Sequence, residues 1–119
     1  MIKLYGIPNC QTVKKAQTWL KEQGIAFEFI DFKKSLPTEI LIRTWLKDVP
    51  LEILLNKKGT TWRKLTPEEQ AKAGTEAGAI ELMCAHPSLI KRPVLVAENL
   101  PVSVGFSETQ YHAMLLSQP

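Results

Sequence analysis

A strand, a helix and a second strand follow one another within residues 1–32 of the chain. Residues 2–5 form a short apolar strand pattern, and a helix with apolar residues at helical spacing is predicted from about Cys10 to Gln23. Gly24 ends this helix, and the aromatic and β-branched residues 25–32 predict the second strand. Such a βαβ unit pairs its strands in parallel through a right-handed crossover. The chain therefore begins as an α/β fold.

The middle of the chain has a helical pattern. Apolar residues repeat at helical spacing up to Asp48. Thr66 and Glu69 match a capping box, and Ser107 and Gln110 match a second one before the last helix of the chain. The predicted elements are helices over residues 37–48 and 51–55, a loop over residues 56–64, a short helix that starts at Thr66 and ends before Gly74, and a helix over residues 76–85.

The strand pattern returns near the end of the chain. Residues 93–97 and 102–105 predict a β-hairpin, and a helix follows it. Redox proteins of the thioredoxin class use the order βαβ and then ββα. We therefore predict an α/β fold with a thioredoxin-like mixed sheet, in one domain over residues 1–119, with a helical insertion over residues 36–86.

Cys10 stands at the junction of the first strand and the first helix. The first N–H groups of a helix are unpaired and carry the positive end of the helix dipole, so a thiolate at this position is stabilised. Lys14 and Lys15 add positive charge one turn further along. A buried structural cysteine is the alternative, but the polar neighbours Asn9 and Gln11 argue against an apolar pocket. Cys10 is thus predicted to be a reactive thiol.

Composition and charge argue against several classes of function. The net charge of +3 comes with basic residues in scattered pairs, which does not predict a nucleic-acid surface. No segment approaches the roughly 18 apolar residues of a membrane span, and the first residues lack a signal-peptide pattern, so we expect a cytoplasmic protein without a membrane partner.

Cys84 is expected in the core, and His86, two residues further along, has too few neighbouring ligands for a metal site. We predict neither a metal nor a bound cofactor.

Four segments occur in order along the chain, with the sequences YGIPNCQTVKKA, NKKGTTWRKL, HPSLIKRP and VGFS, at residues 5–16, 56–65, 86–93 and 104–107. Together they resemble the ArsC/Spx family, close to its YffB-like subgroup, over essentially the whole chain. The resemblance implies a thioredoxin-like fold with a helical insertion and a reactive cysteine at Cys10. It also implies a functional arginine at Arg92, followed by a cis proline at Pro93.

The chain departs from the family patterns at two places. Arsenate reductases of this family use an arginine triad, and its first and last positions correspond here to Asn56 and Gly105, which leaves Arg92. Spx regulators typically carry Cys-x-x-Cys, whereas Val13 stands at the second cysteine position of this chain. Two alternatives remain: an arsenate reductase, in which Arg63 supplies a missing charge, and an Spx-like regulator that binds RNA polymerase.

The leading prediction is a thiol-dependent reductase. Cys10 has no nearby cysteine to resolve a mixed disulfide, so an external thiol must complete the cycle. Glutathione, or another small thiol, is the expected co-substrate, and glutaredoxin is a further candidate partner. Cys10 and Arg92 are the predicted catalytic residues. The predicted substrate-binding residues are Asn9, Thr12, Arg63 and Pro93.

Overall fold

The computed structural model describes residues 1–116 of the chain. These residues fall into two compact units. The first unit comprises Met1–Asp31 together with the chain from Arg92 onward, and the second comprises Phe32–Lys91. The segment predicted as an insertion, residues 36–86, belongs entirely to the second unit. The single-domain assignment itself remains a prediction.

A four-stranded sheet forms the framework of the first unit, within the described residues. Its strand order is β2-β1-β3-β4, with β1 and β2 parallel and the other neighbouring pairs antiparallel. The predicted mixed sheet is confirmed, although most of its strands are shorter than the sequence segments suggested. The strands are β1 (Ile2–Gly6), β2 (Phe27–Asp31), β3 (Val94–Val96) and β4 (Ser103–Val104).

Two helices complete the first unit, α1 (Gln11–Glu22) and the C-terminal helix Glu108–Leu115. Gly24 ends α1 as predicted: its N–H donates to the Lys21 carbonyl at 3.1 Å, and the N–H of Ile25 donates to the Leu20 carbonyl at 3.0 Å. Burying one large apolar side chain contributes about 1.5–3 kcal/mol, so packing on the sheet holds these helices more than helix propensity does. The core residues are Leu4, Ala16, Trp19, Leu20, Leu95 and Tyr111.

The second unit is helical. Helix α2 (Glu39–Leu46) contacts α6 (Glu76–Ala85), and Phe32 packs against Trp45 of α2 with ring centroids 6.2 Å apart. No helix within residues 1–116 is long and apolar enough to cross a bilayer. The helices of this unit are α2 (Glu39–Leu46), α3 (Leu51–Leu54), α4 (Thr60–Lys64), α5 (Pro67–Ala71) and α6 (Glu76–Ala85), and we number the C-terminal helix of the first unit α7.

The loop predicted over residues 56–64 is wrong in its second half, where α4 forms. The polar composition of this segment predicted a loop, but Trp62 makes two contacts that the composition does not indicate. The Trp62 carbonyl accepts a hydrogen bond from Nε2 of Gln70 at 2.9 Å, and the ammonium of Lys57 lies 5.2 Å from the centre of its ring. A contact with Gln70 of the next helix and a contact with Lys57 of the same segment therefore stabilise a helical turn that local sequence preference does not predict.

The two predicted capping boxes differ in the structure. The box at Thr66 is complete, because Oγ1 of Thr66 accepts from the N–H of Glu69 while the Glu69 carboxylate accepts from the N–H of Thr66. At Ser107 only half forms: its Oγ accepts from the N–H of Gln110 at 3.0 Å. The side chain of Gln110 donates instead to Oγ of Ser103 at 2.6 Å, so it links α7 to β4.

Candidate functional site

Cys10 is the N-cap residue of α1. Its backbone is extended, its N–H donates to the Ile7 carbonyl at 3.4 Å, and its carbonyl accepts from the N–H of Lys14 at 3.0 Å. The side chain is half-buried. A side chain at this position faces the N–H groups of the first helical turn, which have no partner within the helix.

Gly6 allows the first turn of α1 to approach strand β1. A Cβ atom at position 6 would lie 2.8 Å from Cγ2 of Val13, whose side chain is fully buried. Any larger residue would therefore push the first turn away from the strand. Gly6 helps to fix the helix start that carries Cys10.

The environment of Cys10 favours the thiolate. Partial burial raises the pKa of the Cys10 thiol, because the charged form loses hydration. The backbone N–H of Val13, the guanidinium and positive charge of Arg92, and the backbone N–H of Thr12 all lower this pKa. These contributions outweigh burial, so the pKa of Cys10 lies below its ordinary value. The direction of the pKa shift agrees with the stabilised thiolate expected at a helix start, and the role of Cys10 as a nucleophile remains a prediction.

The source of the stabilisation differs in part from the prediction. The sequence predicted that the helix start and the positive charges of Lys14 and Lys15 stabilise the Cys10 thiolate. The groups that lower the pKa of Cys10 are the backbone N–H groups of the helix start, as predicted, and the guanidinium of Arg92 in place of the two lysines. Val13 contributes more than Thr12, because the third residue of a helix is where an N-cap side chain finds its donor.

Arg92 and Pro93 lie at the start of the segment that leads into β3. The peptide bond between them is cis, as the resemblance implies. Arg92 is half-buried, and its guanidinium lies close enough to the sulfur of Cys10 to lower the pKa of the thiol. Pro93 is buried, and its carbonyl accepts a hydrogen bond from the N–H of Gly105 at 3.0 Å. The structure thus brings Arg92 to the thiol from a distant part of the sequence.

The remaining predicted residues lie in different settings. Asn9 is exposed in the turn before Cys10, and Thr12 is half-buried in the first turn of α1. Thr12 acts on the thiol through its backbone N–H, whereas its hydroxyl had been the predicted group. Arg63 belongs to α4 in the second unit, and its role in substrate binding remains a prediction.

Cys84, the second cysteine of the chain, lies on α6 and is half-buried rather than fully in the core as predicted. Burial and the nearby carboxylate of Glu39 both raise the pKa of its thiol. Both cysteines are free thiols. Within residues 1–116, no group of three or more His, Cys, Asp or Glu side chains is placed to hold a metal ion.

The opposite pKa directions of the two thiols predict different alkylation profiles. The midpoint of the rate at Cys10 should lie at lower pH than that of a cysteine in the denatured chain, while the midpoint at Cys84 should lie at higher pH. Iodoacetamide labelling across pH, quantified for each cysteine by peptide mass spectrometry, measures both. The denatured chain is the control, because its two cysteines should titrate together. A Cys10 midpoint at or above the denatured value would contradict the prediction.

Comparison with known proteins extends over almost the whole chain. The ArsC family matches residues 5–114. The solved structure of the YffB protein is 43% identical, with a TM-score of 0.89, over 97% of this chain and 99% of that one. An arsenate reductase (ArsC) related protein from Brucella melitensis is 45% identical, with a TM-score of 0.71, over 94% of this chain and 92% of its own. These findings confirm both the predicted thioredoxin-like fold and the resemblance seen in the four segments.

A transcription factor also has sequence similarity to the chain. The global transcriptional regulator Spx of Streptococcus mutans is 25% identical over an alignment that covers 97% of this chain and 83% of Spx. The relatives therefore include both an arsenate reductase related protein and a transcriptional regulator. Similarity alone does not choose between these two functions, so the choice depends on the residues around Cys10.

Proposed function

Because the chain belongs to the ArsC family, we propose that it is a cytoplasmic thiol-dependent reductase that acts on mixed disulfides of glutathione. One observation carries the proposal: Cys10 is the N-cap residue of α1, and the guanidinium of Arg92, brought to it from the segment that leads into β3, lowers the pKa of its thiol. A thiolate held in this way is a nucleophile near neutral pH. The same guanidinium suits an anionic substrate such as glutathione, whose carboxylates it can bind.

The proposed cycle has two exchange steps. In the first, the Cys10 thiolate attacks the glutathione sulfur of the mixed disulfide; a Cys10–glutathione disulfide forms, and the other thiol leaves as its thiolate. In the second, the thiolate of a free glutathione attacks the glutathione sulfur held on Cys10. This step releases glutathione disulfide and restores the Cys10 thiolate. In the net reaction one free glutathione is oxidised to the disulfide level, and the substrate sulfur is reduced to a thiol.

The cysteine inventory supports an external resolving thiol. Val13 occupies the position at which a Cys-x-x-Cys motif would place its second sulfur. Cys84, the other cysteine, belongs to the second unit and has a raised pKa. A thiol that stays protonated is a poor attacking group, which favours glutathione or another small thiol for the second step.

Arsenate reduction is supported less well, because the backbone at Gly105 disfavours an arginine. Gly105 has a φ of +75°, a conformation that residues with a side chain rarely adopt. Its N–H also holds the Pro93 carbonyl. The third position of the arginine triad is therefore adapted to glycine. Of the three cations expected in an arsenate reductase, Arg92 is the one present at its position.

Treatment with glutathione disulfide tests the proposed function. We expect intact mass spectrometry to show one glutathione added per chain, located at Cys10 by peptide mapping and removed by excess reduced glutathione. Cys84 is the internal control and should stay unmodified, since its pKa is raised. An unmodified Cys10 under these conditions would contradict the proposal. It would favour the Spx-like alternative, in which the chain binds RNA polymerase without thiol chemistry.

A further inference from the structure

A groove of about 520 Å³ runs along one face of α1, and we call it the α1 groove. Its helical residues recur at the spacing of a single helix face, from Gln11, which follows Cys10, to Glu22 in the last turn. Phe106 and Glu108, at the start of the α7 region, line the rest of it. With a rise of 1.5 Å per residue, its helical side is roughly 17 Å long.

The base of the α1 groove contains aromatic rings in fixed positions. Trp19 and Phe106 both line the groove, and both pack edge-on against Tyr111, which is fully buried. The ring centroids lie 5.8 Å and 4.7 Å from that of Tyr111. A surface built on rings that are already ordered loses little conformational entropy when an apolar side chain binds to it.

The charges of the α1 groove are separated along its length. Lys14 and Lys15 begin roughly 6 Å along the helix axis from Cys10, whereas Glu22 lies roughly 18 Å from it. Glu108 adds a second carboxylate to the lining of the groove, and it shares a neighbouring cavity with Trp19. The groove is therefore positive beside the thiol and negative away from it.

We propose that the α1 groove binds the polypeptide chain on one side of the oxidised cysteine of a protein substrate. This inference rests on the proposed function, in which that cysteine leaves as Cys10 takes up its glutathione. The leaving sulfur then lies beside Cys10, where the groove begins. An extended chain advances about 3.3 Å per residue, so the groove has room for roughly five residues, more than the tripeptide glutathione requires. The complementary substrate has carboxylates next to its cysteine and basic residues further away.

Two peptides of identical composition test this order of charges. Each has eleven residues and a central cysteine linked to glutathione. The first carries glutamates next to the cysteine and lysines five residues from it, near the distance of Glu22; the second exchanges the two residue types. Because both have the same net charge, general attraction to a basic protein cannot separate them. We expect kcat/KM to be roughly tenfold higher for the first peptide, since the wrong order places like charges together.

Charge reversal within the groove should remove the preference. In Lys14→Glu the ratio of kcat/KM for the two peptides should fall to about two or below. Lys21→Glu is the matched control: Lys21 is exposed on the same helix but does not line the groove, so its ratio should stay near that of the parent. A parent protein without preference, or a Lys14→Glu variant that keeps it, would overturn the proposal.

A small substrate separates the proposed reductase function from the proposed role of the α1 groove. The mixed disulfide of glutathione with 2-mercaptoethanol has no peptide chain outside its glutathione. If the parent protein reduces this compound but treats the two peptides alike, the α1 groove has no role in selection and the reductase function stands. If it reduces neither the small compound nor the peptides, the proposed function fails, and the groove proposal fails with it.

Discussion

Replacing Cys10 with serine should abolish reduction of glutathione mixed disulfides, with turnover below about one thousandth of the parent value. The serine hydroxyl is almost entirely protonated near neutral pH, so the guanidinium of Arg92 would face a group that cannot become the nucleophile. Turnover is followed by coupling the formation of glutathione disulfide to glutathione reductase and NADPH. Since the serine is nearly isosteric, the melting temperature should change little.

Cys84→Ser is the matched control for Cys10→Ser. It removes the other thiol of the chain and should retain parental turnover, because its sulfur has a raised pKa and lies outside the unit that holds Cys10. If Cys10→Ser retained turnover, the reductase proposal would be wrong. An Spx-like regulator would be recognised by a different result: binding to RNA polymerase that persists in Cys10→Ser.

The fold of the first unit could be predicted because its elements have strong local patterns. Residues 2–5 and 25–32 carry strand patterns on either side of a helix that ends at Gly24, and the βαβ unit follows from them. The failures arose where distant contacts replace local preference. Trp62 supports a helix in a polar segment through Gln70, and Gln110 leaves its predicted capping box to reach Ser103.

The candidate site was predictable to a different extent. The position of Cys10 before an apolar helix indicated a stabilised thiol, and the structure places the Val13 N–H where that reasoning requires a donor. Spacing alone gave no reason to bring Arg92 to Cys10; the family resemblance supplied that residue. The sequence also did not predict that the rings of Trp19 and Phe106 both pack against Tyr111, because these contacts depend on how α1 and α7 pack.

Arg92→Ala should reduce turnover by roughly 100-fold or more, the scale seen when one preorganised donor is removed from an active site. Two effects combine. The variant loses the guanidinium that lowers the pKa of Cys10. Burial, which raises this pKa, is then opposed by fewer groups, so the alkylation midpoint should move to higher pH. It also loses the planar fork that would bind a substrate carboxylate.

Arg92→Lys separates these two effects. A lysine keeps a positive charge near the thiol, so the alkylation midpoint of Cys10 should stay closer to the parent than in Arg92→Ala. Turnover should nevertheless recover little, since an ammonium cannot form the paired hydrogen bonds of a guanidinium. Lys91→Ala, which removes the neighbouring exposed cation, is the control and should behave like the parent. If Arg92→Ala turns over at the parental rate while remaining folded, Arg92 is a structural charge, and the thiolate at Cys10 depends on the helix N–H groups alone.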